Sequence, residues 1–224
     1  MKPIILVEGT IGVGKTTIAK KIAQILNLRP LLEPVDTNPY LERFYKDMKR
    51  WAFPMQMELL LRRYSMHKLA SFEAISGSQF NGVVLDRGLP GDRVFAKLAY
   101  LNGNIHPLEW NTYERAYEMF STEVRPPNLL IFLDIDPRFA KERLEGRDRK
   151  AEDGIPIKYY EQLHKGYLDF LTDVDNTPWK GIEIMKVGWN TDHLPIDTII
   201  GNIRKHFDIE IKVGQKLLKN FFNE

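Results

Sequence analysis

A glycine-rich segment near the N-terminus has the residue types and the spacing of a phosphate-binding loop. Its residues are Gly9, Thr10, Ile11, Gly12, Val13, Gly14, Lys15, Thr16 and Thr17. Glycines let backbone N–H groups turn inward around a phosphate, and a helix that starts there points the positive end of its dipole at the same anion. In such a loop Lys15 reaches the terminal phosphates and the Thr16 hydroxyl reaches a magnesium ion. An apolar run before the loop and a helical pattern after it favour nucleotide binding over a chance glycine turn.

Charged residues directly follow two of the later apolar runs. Glu33 comes after residues 31–32, and Asp86-Arg87 come after residues 83–85. A carboxylate there can take the proton from an attacking hydroxyl, and an arginine can neutralise charge on a phosphoryl group in transfer. Without the phosphate loop, a solvated glutamate and an ordinary ion pair would be the better interpretations. With the loop, these residues predict a site for a hydroxyl acceptor.

A dense basic cluster lies near the end of a predicted helix in the second half of the chain. Its residues are Arg138, Lys141, Arg143, Arg147, Arg149 and Lys150. Arginines can grip phosphate oxygens through two parallel hydrogen bonds. A solvated basic helix face is the ordinary interpretation of such a run. The glycines at 146 and 154 on either side favour a mobile lid over the donor phosphates.

Short apolar, β-branched runs alternate with stretches of helical period, which is typical of strands covered by helices on both faces. The predicted strands are residues 4–7, 31–32, 83–85, 129–133 and 182–185. The predicted helices are residues 15–26, 39–49, 55–75, 92–101, 108–122, 137–145, 156–171 and 196–206. This order predicts an α/β fold with a parallel sheet of about five strands. Ligands gather at the carboxyl ends of such strands, where the charged residues described above lie.

Composition limits the number of domains, the kinds of partner and the compartment that we expect. The chain has 224 residues without a linker-like stretch, so we predict one domain over residues 1–224. Lys and Arg total 32 against 30 acidic residues, a balance that argues against a nucleic-acid polymer or a membrane surface as partner. No window approaches the roughly 20 apolar residues that span a bilayer. The absence of cysteine suits a reducing compartment, and we expect the protein in the cytoplasm.

Across nearly its whole length the chain resembles the deoxynucleoside kinase family, which includes deoxycytidine, deoxyguanosine and deoxyadenosine kinases. The matching segments are the phosphate loop, residues 33–35, Tyr45, residues 51–56, Arg63, residues 86–87, residues 92–93 and residues 143–156. Residues 38–40 and 45–47 look particularly like the bacterial members that act on purine deoxynucleosides. The resemblance implies a P-loop kinase fold with an arginine-rich lid at about 143–156. It also implies ATP as phosphate donor, Mg²⁺ as cofactor and a homodimer.

The resemblance implies a role for residues on both sides of the transferred phosphoryl group. Glu33 matches the general base for the 5′-hydroxyl, and Arg87 matches the arginine that helps to hold it and the phosphates. Asp86 matches a position that is often Glu and is associated with magnesium through water. The arginines that match those closing over the donor phosphates are Arg143, Arg147 and Arg149.

The resemblance also implies how the nucleoside is held. Tyr45 and Glu152 match groups that hold the sugar 3′-hydroxyl, and the matches to the group that reads the base edge are Gln56, Arg63 and Asp92. The base-stacking phenylalanine corresponds to Phe95 in a bacterial-like alignment, whereas an animal-like alignment places Ala96 there. Ala151 replaces the first glutamate that many relatives carry in the lid. These residues favour purine deoxynucleosides and deoxycytidine over thymidine.

Two other functions are open to the same sequence. A deoxynucleoside monophosphate kinase of the thymidylate kinase type shares the phosphate loop, the Asp-Arg pair and a basic lid. Glu33 argues against it, because a carboxylate would repel an acceptor that is already an anion. A nucleotide-binding switch or ATPase module would not need residues that read a base opposite the phosphate loop.

Overall fold

The computed structural model describes residues 1–33, 38–145, 154–189 and 195–207. The strands are β1 (Ile4–Glu8), β2 (Arg29–Leu32), β3 (Val83–Asp86), β4 (Leu129–Asp134) and β5 (Glu183–Gly188). The helices are α1 (Lys15–Leu26), α2 (Leu41–Lys46), α3 (Met48–Glu73), α4 (Leu89–Leu101), α5 (Pro107–Thr122), α6 (Pro137–Glu145), α7 (Ile157–Thr172) and α8 (Ile196–Phe207). A short 3-10 turn over Val174–Asn176 precedes the last strand.

The five strands form one sheet in the order β2-β3-β1-β4-β5, and every neighbouring pair is parallel. The predicted α/β fold with a five-stranded parallel sheet is therefore confirmed. Leu32 of β2 and Val7 of β1 both pair with Asp86 of β3, which lies between them. The next residue of each strand or of its loop is charged: Glu33, Glu8 and Arg87. The register alone therefore brings three charged groups together at one edge of the sheet.

Side chains that alternate along each strand divide the core into two apolar clusters, one on each face of the sheet. On one face Leu6 and Phe132 pack against α3, α4, α5 and α7. On the other face Val7 and Ile131 pack against α1, α6 and α8. Both faces of β1 are buried, which explains why this strand reads as a continuous apolar run. Among the described residues, no helix is both long enough and apolar enough to cross a membrane.

The segment before the acceptor-side residues differs from the sequence prediction. A helix over 39–49 and a second helix from 55 are wrong: the break falls at Asp47, and α3 runs from Met48 through Pro54. The Asp47 side chain accepts a hydrogen bond from the Arg50 N–H at 3.0 Å and so caps α3. Proline inside a helix removes one backbone bond, but the neighbouring Ala52 and Met55 are buried in a cluster with Phe44. Packing on both sides of Pro54 outweighs its local preference.

Candidate active site

The phosphate loop has the backbone conformation that its glycines permit. Gly12 and Gly14 have φ angles of 79° and 86°, which lie in the left-handed region that side chains disfavour. A Cβ atom on Gly12 would lie 2.3 Å from the Ala140 carbonyl oxygen of α6. Helix α1 begins at Lys15, directly after Gly14, so its unpaired N–H groups face the loop. The geometry is that of an anion cradle between β1 and α1.

Lys15 is buried at the start of α1. Its ammonium group donates a hydrogen bond to the Thr10 carbonyl at 2.5 Å. Burial and the positive charge of Arg87 lower the pKa of Lys15 to about 7, although Asp86 and Glu8 oppose the shift. The folded loop therefore holds a cation whose charge is only weakly satisfied by the protein. A bound polyanion would satisfy it.

Oxygen ligands lie beside the same loop. The Thr16 hydroxyl donates a hydrogen bond to Oδ2 of Asp86, which ends strand β3. Hydroxyl and carboxylate oxygens are the ligands that Mg²⁺ prefers in proteins. Within the described residues, no three or more His, Asp or Glu side chains gather into a metal cage. The pair fits an ion that takes most of its ligands from phosphate and water.

Glu33 lies between two arginines at the carboxyl end of β2. Arg63 of α3 donates to Oε1 of Glu33 from both Nε, at 2.8 Å, and Nη2, at 2.6 Å. Nε of Arg87 lies 3.2 Å from the other carboxylate oxygen. Burial alone would raise the pKa of Glu33, but the two guanidinium groups outweigh it and lower that pKa. Glu33 is therefore an ionised carboxylate in a nearly buried position.

Asp92 holds the other end of Arg63. Its Oδ1 accepts a hydrogen bond from Nη1 of Arg63, and its Oδ2 accepts one from the Tyr113 hydroxyl. The carboxylate is fully buried, and burial raises its pKa although Arg63 opposes the shift. Asp92 thus lies behind Arg63 and fixes the direction in which that guanidinium points.

Gln56 and Phe95 complete the same wall. Gln56 of α3 is 2% exposed, and its Oε1 has no hydrogen-bond partner. Buried amide oxygens without a partner are rare, which marks this atom as available to a ligand. The ring of Phe95 lies under Arg87, whose guanidinium carbon is 4.5 Å from the ring centre. An amide with free hydrogen-bonding capacity and an aromatic face are the two groups that a flat heterocycle needs.

These residues line one cavity of about 360 Å³ next to the phosphate loop. The predicted site residues on its wall are Gly12, Gly14, Lys15, Thr16, Glu33, Tyr45, Gln56, Arg63, Asp86, Arg87 and Phe95. Apolar side chains of Leu41, Phe44, Met55 and Leu59 close one side of it. The lining of one cavity therefore combines residues of a phosphate cradle with an amide, a guanidinium and an aromatic ring.

Comparison with known proteins decides between the families that share a phosphate loop. The family model described as deoxynucleoside kinase matches residues 5–208. This chain belongs to the deoxynucleoside kinase family. The resemblance inferred from the sequence is confirmed.

The chain is similar to several named deoxynucleoside kinases. A deoxyguanosine kinase of Dictyostelium discoideum is 35% identical over 84% of this chain and 64% of its own length. A deoxyadenosine/deoxycytidine kinase of Bacillus subtilis is 34% identical over 89% of this chain and 91% of its own length. The solved structure of a deoxyadenosine kinase from M. mycoides with bound dCTP has a TM-score of 0.74 at 28% identity. It covers 92% of this chain and 98% of that one.

Three further residues of the kinase lie at the site, and no role was predicted for them from the sequence. Glu8, at the end of β1, is 1% exposed and lies 3.9 Å from Nη1 of Arg87. Tyr167 of α7 is fully buried and accepts a hydrogen bond from the same Nη1 at 2.9 Å. Tyr159, also on α7, lines the cavity, and burial raises its pKa. A carboxylate at the end of an otherwise apolar strand was a visible signal for Glu8, whereas nothing local distinguishes the two tyrosines from core residues.

Most of the predicted lid segment lies outside the described residues. Arg143 lies on α6, and its guanidinium carbon is 4.2 Å from the centre of the Trp189 ring. Its Nη2 donates to the Trp189 carbonyl at 3.4 Å. Trp189 in turn lies close to Gly14 of the phosphate loop. The remaining predicted lid residues, Arg147, Arg149 and Glu152, lie outside the described residues.

Proposed function

We propose that this chain transfers the γ-phosphoryl group of ATP to the 5′-hydroxyl of a deoxynucleoside and releases the 5′-monophosphate. The position of Glu33 supports this reaction most directly. Its side chain is 6% exposed and lines the same cavity as Lys15 and Thr16 of the phosphate loop. The names of the relatives, which are deoxyadenosine, deoxyguanosine and deoxycytidine kinases, support the same reaction.

Glu33 is the general base in this proposal. A neutral hydroxyl must lose its proton as it attacks phosphorus, and a carboxylate in hydrogen-bond reach can accept it. Because the pKa of Glu33 is lowered, the carboxylate is ionised and ready to accept at neutral pH. The arginines that lower this pKa also hold the carboxylate in place, so it meets the acceptor in one orientation.

Cations stabilise the charge that the phosphoryl group carries. Lys15 approaches the terminal phosphates from the loop, and Arg87 lies between the loop carbonyl of Thr10 and Glu33. Arg143 stands on α6 beside the loop, and we propose that Arg147 and Arg149 join it in a lid over about 143–156. The phosphates are held in the loop by the backbone N–H groups of Gly9, Thr10, Gly12, Val13, Gly14, Thr16 and Thr17.

Magnesium fits the oxygen pair beside the loop. Thr16 would bind the ion directly and Asp86 would bind it through water, as the hydrogen bond between them places both at the loop. When bound, Mg²⁺ would withdraw charge from the phosphate oxygens and so favour attack of the acceptor hydroxyl on phosphorus.

The far end of the cavity fits the nucleoside. Gln56 and Arg63 present hydrogen-bonding groups to a base edge, Asp92 orients Arg63, and the Phe95 ring lines the cavity beside them. Adenine and cytosine present an exocyclic amine beside a ring nitrogen, whereas thymine presents a carbonyl oxygen in place of the amine. We therefore propose purine deoxynucleosides and deoxycytidine as better substrates than thymidine. Tyr45 and Glu152 are proposed to hold the 3′-hydroxyl.

A monophosphate kinase fits this site less well. Its acceptor carries two negative charges, and Glu33 would repel that anion at the position where it must attack. A switch or ATPase module would not need the side chains of Gln56, Arg63 and Phe95 on the cavity wall.

The assembly and the location of the protein belong to the same proposal. Family resemblance favours a homodimer, which light scattering at several protein concentrations would test. The absence of cysteine is in keeping with a reducing compartment such as the cytoplasm. We propose that residues 1–224 act as one kinase domain.

The experiment offers γ-labelled ATP and Mg²⁺ with each of the four deoxynucleosides and each of their monophosphates. We expect label in the deoxynucleoside 5′-monophosphates, with deoxyadenosine, deoxyguanosine or deoxycytidine ahead of thymidine. Dominant labelling of diphosphates would establish the monophosphate kinase instead. Release of inorganic phosphate alone, whatever the acceptor, would establish the ATPase.

A further inference from the structure

The backbone of Arg87 has a conformation that residues other than glycine disfavour. Its backbone φ is 65°, in the left-handed region, and arginine is not glycine. Its guanidinium group is buried, at 6% exposure for the residue, and carries five donors. Such a side chain keeps a single orientation only where its surroundings define one.

The backbone on both sides of Arg87 is tied to β1. The Arg87 N–H donates to the Val7 carbonyl at 3.1 Å. The N–H of the next residue, Gly88, donates to Oε1 of Glu8 at 3.0 Å. Glu8 therefore anchors the turn that carries Arg87.

The side chain is tied to the same carboxylate through one phenol. The Tyr167 hydroxyl accepts from Nη1 of Arg87 at 2.9 Å and donates to Oε2 of Glu8 at 2.8 Å. Because the phenol proton is directed to Glu8, its lone pairs are left to face the guanidinium. Tyr167 thus connects α7 to the arginine that faces Glu33.

Packing alone does not require this hydroxyl. The Tyr167 ring lies against Phe132, at 5.4 Å between ring centres, and against Phe95, at 6.1 Å. A phenylalanine ring would fill the same apolar space. A buried carboxylate such as Glu8 also destabilises an apolar core. Burial raises the pKa of Glu8 even though Arg87 opposes the shift. A buried acid and a buried phenol that meet at one guanidinium point to a role beyond filling space.

We propose that Tyr167, together with Glu8, is a positioning residue that fixes the Arg87 guanidinium for phosphoryl transfer. The inference rests on the proposed function only in giving Arg87 a role at the transferred group. Without the phenol, Nη1 of Arg87 loses its hydrogen bond at 2.9 Å and keeps only Glu8, at 3.9 Å, beside it. The other partners, Glu33 and the Thr10 carbonyl, then leave the guanidinium free to turn toward Glu33. Misplacement of a charged group by about 1 Å can lower a rate by about 10²-fold.

The kinetic test compares Tyr167→Phe with Tyr117→Phe. Tyr117 is a matched control, since its buried hydroxyl also accepts one hydrogen bond, from Nε1 of Trp179 at 2.6 Å, but it lies outside the described cavity. We expect Tyr167→Phe to lower kcat by about 10- to 100-fold with KM for ATP and nucleoside changed by less than about 3-fold. Tyr117→Phe should leave kcat unchanged. Equal kcat values for the two variants would overturn the proposal.

A double-mutant cycle separates positioning from general loosening of the core. In an Arg87→Lys background the phenol no longer has its guanidinium to hold, so Tyr167→Phe should lower kcat by less than about 2-fold further. The same fold-loss in both backgrounds would mean that Tyr167 does not act through Arg87.

A measurement on the unliganded protein keeps the inference separate from the reaction. Proton exchange with water at Nη1 of Arg87, the nitrogen that donates to Tyr167, is followed by ¹⁵N NMR and assigned by the loss of its signal in Arg87→Lys. We expect Tyr167→Phe to speed this exchange at least about 10-fold while Nε of Arg63, which donates to Glu33, is little changed. Unchanged exchange at Arg87 would refute the positioning role even if the kinase activity is present. Faster exchange in a protein that labels no nucleoside would leave the positioning intact and overturn the proposed function.

Discussion

The ammonium group of Lys15 is held by one carbonyl, and burial with the nearby charge of Arg87 lowers its pKa to about 7. Lys15→Ala removes this cation from the proposed site of the donor phosphates, so transfer to every acceptor should fall together, by on the order of 10²-fold or more. The measurement is kcat/KM for each deoxynucleoside. The order of preference among nucleosides should stay that of the wild type. A changed order with a preserved overall rate would place Lys15 on the acceptor side instead.

Asp92 is proposed to act on the nucleoside base through Arg63. Asp92→Ala frees one end of that guanidinium and leaves the Tyr113 hydroxyl without its acceptor. A buried base edge that faces the wrong hydrogen-bonding group costs about 1–3 kcal/mol. The ratio of kcat/KM between the preferred and the poorest deoxynucleoside should therefore fall by about 10- to 100-fold. The measurement is kcat/KM for all four with both proteins. Unchanged selectivity, or thymidine as the preferred wild-type substrate, would contradict this account of base reading.

At the scale of single residues, the site residues that belong to local motifs could be predicted from the sequence. The phosphate loop, Glu33, Asp86 and Arg87 each follow an apolar run, and the sheet register brings them to one edge. Tyr167 could not be located in this way, because it looks like any apolar position on the buried face of α7. Its partner Glu8 is 159 residues away in the chain, and only the packing of α7 on the sheet brings them together.

At the scale of elements, the phosphate loop depends on its contact with α6. Gly12→Ala adds a Cβ that meets the Ala140 carbonyl and also strains a φ of 79°. Gly103→Ala is the matched control, because Gly103 has a φ of 72° but no atom within 4 Å of the added Cβ. We expect Gly103→Ala to cost about 1 kcal/mol of stability. Gly12→Ala should cost more and weaken ATP binding at least about 10-fold, because the loop must move away from α6.

Thermal unfolding and ATP titration by calorimetry measure both effects. Equal losses of stability with unchanged ATP binding would show that the loop accommodates the methyl group without moving.

Element boundaries were predicted well where local chemistry decides them and poorly where packing does. Helix α1 begins after Gly14 and ends at Leu26, followed by Asn27 with φ 51°, in line with glycine and asparagine as boundary signals. The division of α2 from α3 was misplaced because Pro54 reads locally as a break. The burial of Ala52 and Met55, which holds the helix together there, depends on Phe44 of another helix.

At the scale of the whole molecule, a buried histidine couples stability to pH. His67 of α3 is fully buried, donates Nε2–H to the Arg125 carbonyl at 2.8 Å and stacks on Trp179. Burial lowers its pKa from 6.5 to about 4. Because the unfolded chain binds this proton more tightly, the stability that His67 contributes is present above pH 6.5 and is lost as pH falls toward 4. The shift corresponds to about 3 kcal/mol at about 1.36 kcal/mol per pKa unit.

His67→Gln removes this titration while keeping a donor near the Arg125 carbonyl. The free energy of unfolding, measured by denaturant titration at pH 7 and pH 4, should fall less in the variant than in the wild type, by about 3 kcal/mol. The comparison between the two proteins cancels the acidic groups that titrate in both. Parallel losses in the two proteins would mean that His67 is not the group responsible.

The central step of the proposed reaction is removal of the proton from the acceptor hydroxyl, which Glu33 is proposed to take. Glu33→Gln keeps the shape and one of the two acceptor oxygens, the one that Arg63 needs, but removes the base. Glu73→Gln is the control, since Glu73 is also buried and paired with an arginine, Arg29, but lies away from the cavity. The measurement is kcat and KM for deoxynucleoside phosphorylation by the three proteins. We predict that Glu33→Gln lowers kcat by about 10²–10⁴-fold with a much smaller change in KM, and that Glu73→Gln leaves kcat unchanged. Turnover by a folded Glu33→Gln protein within a few-fold of the wild type would contradict the account.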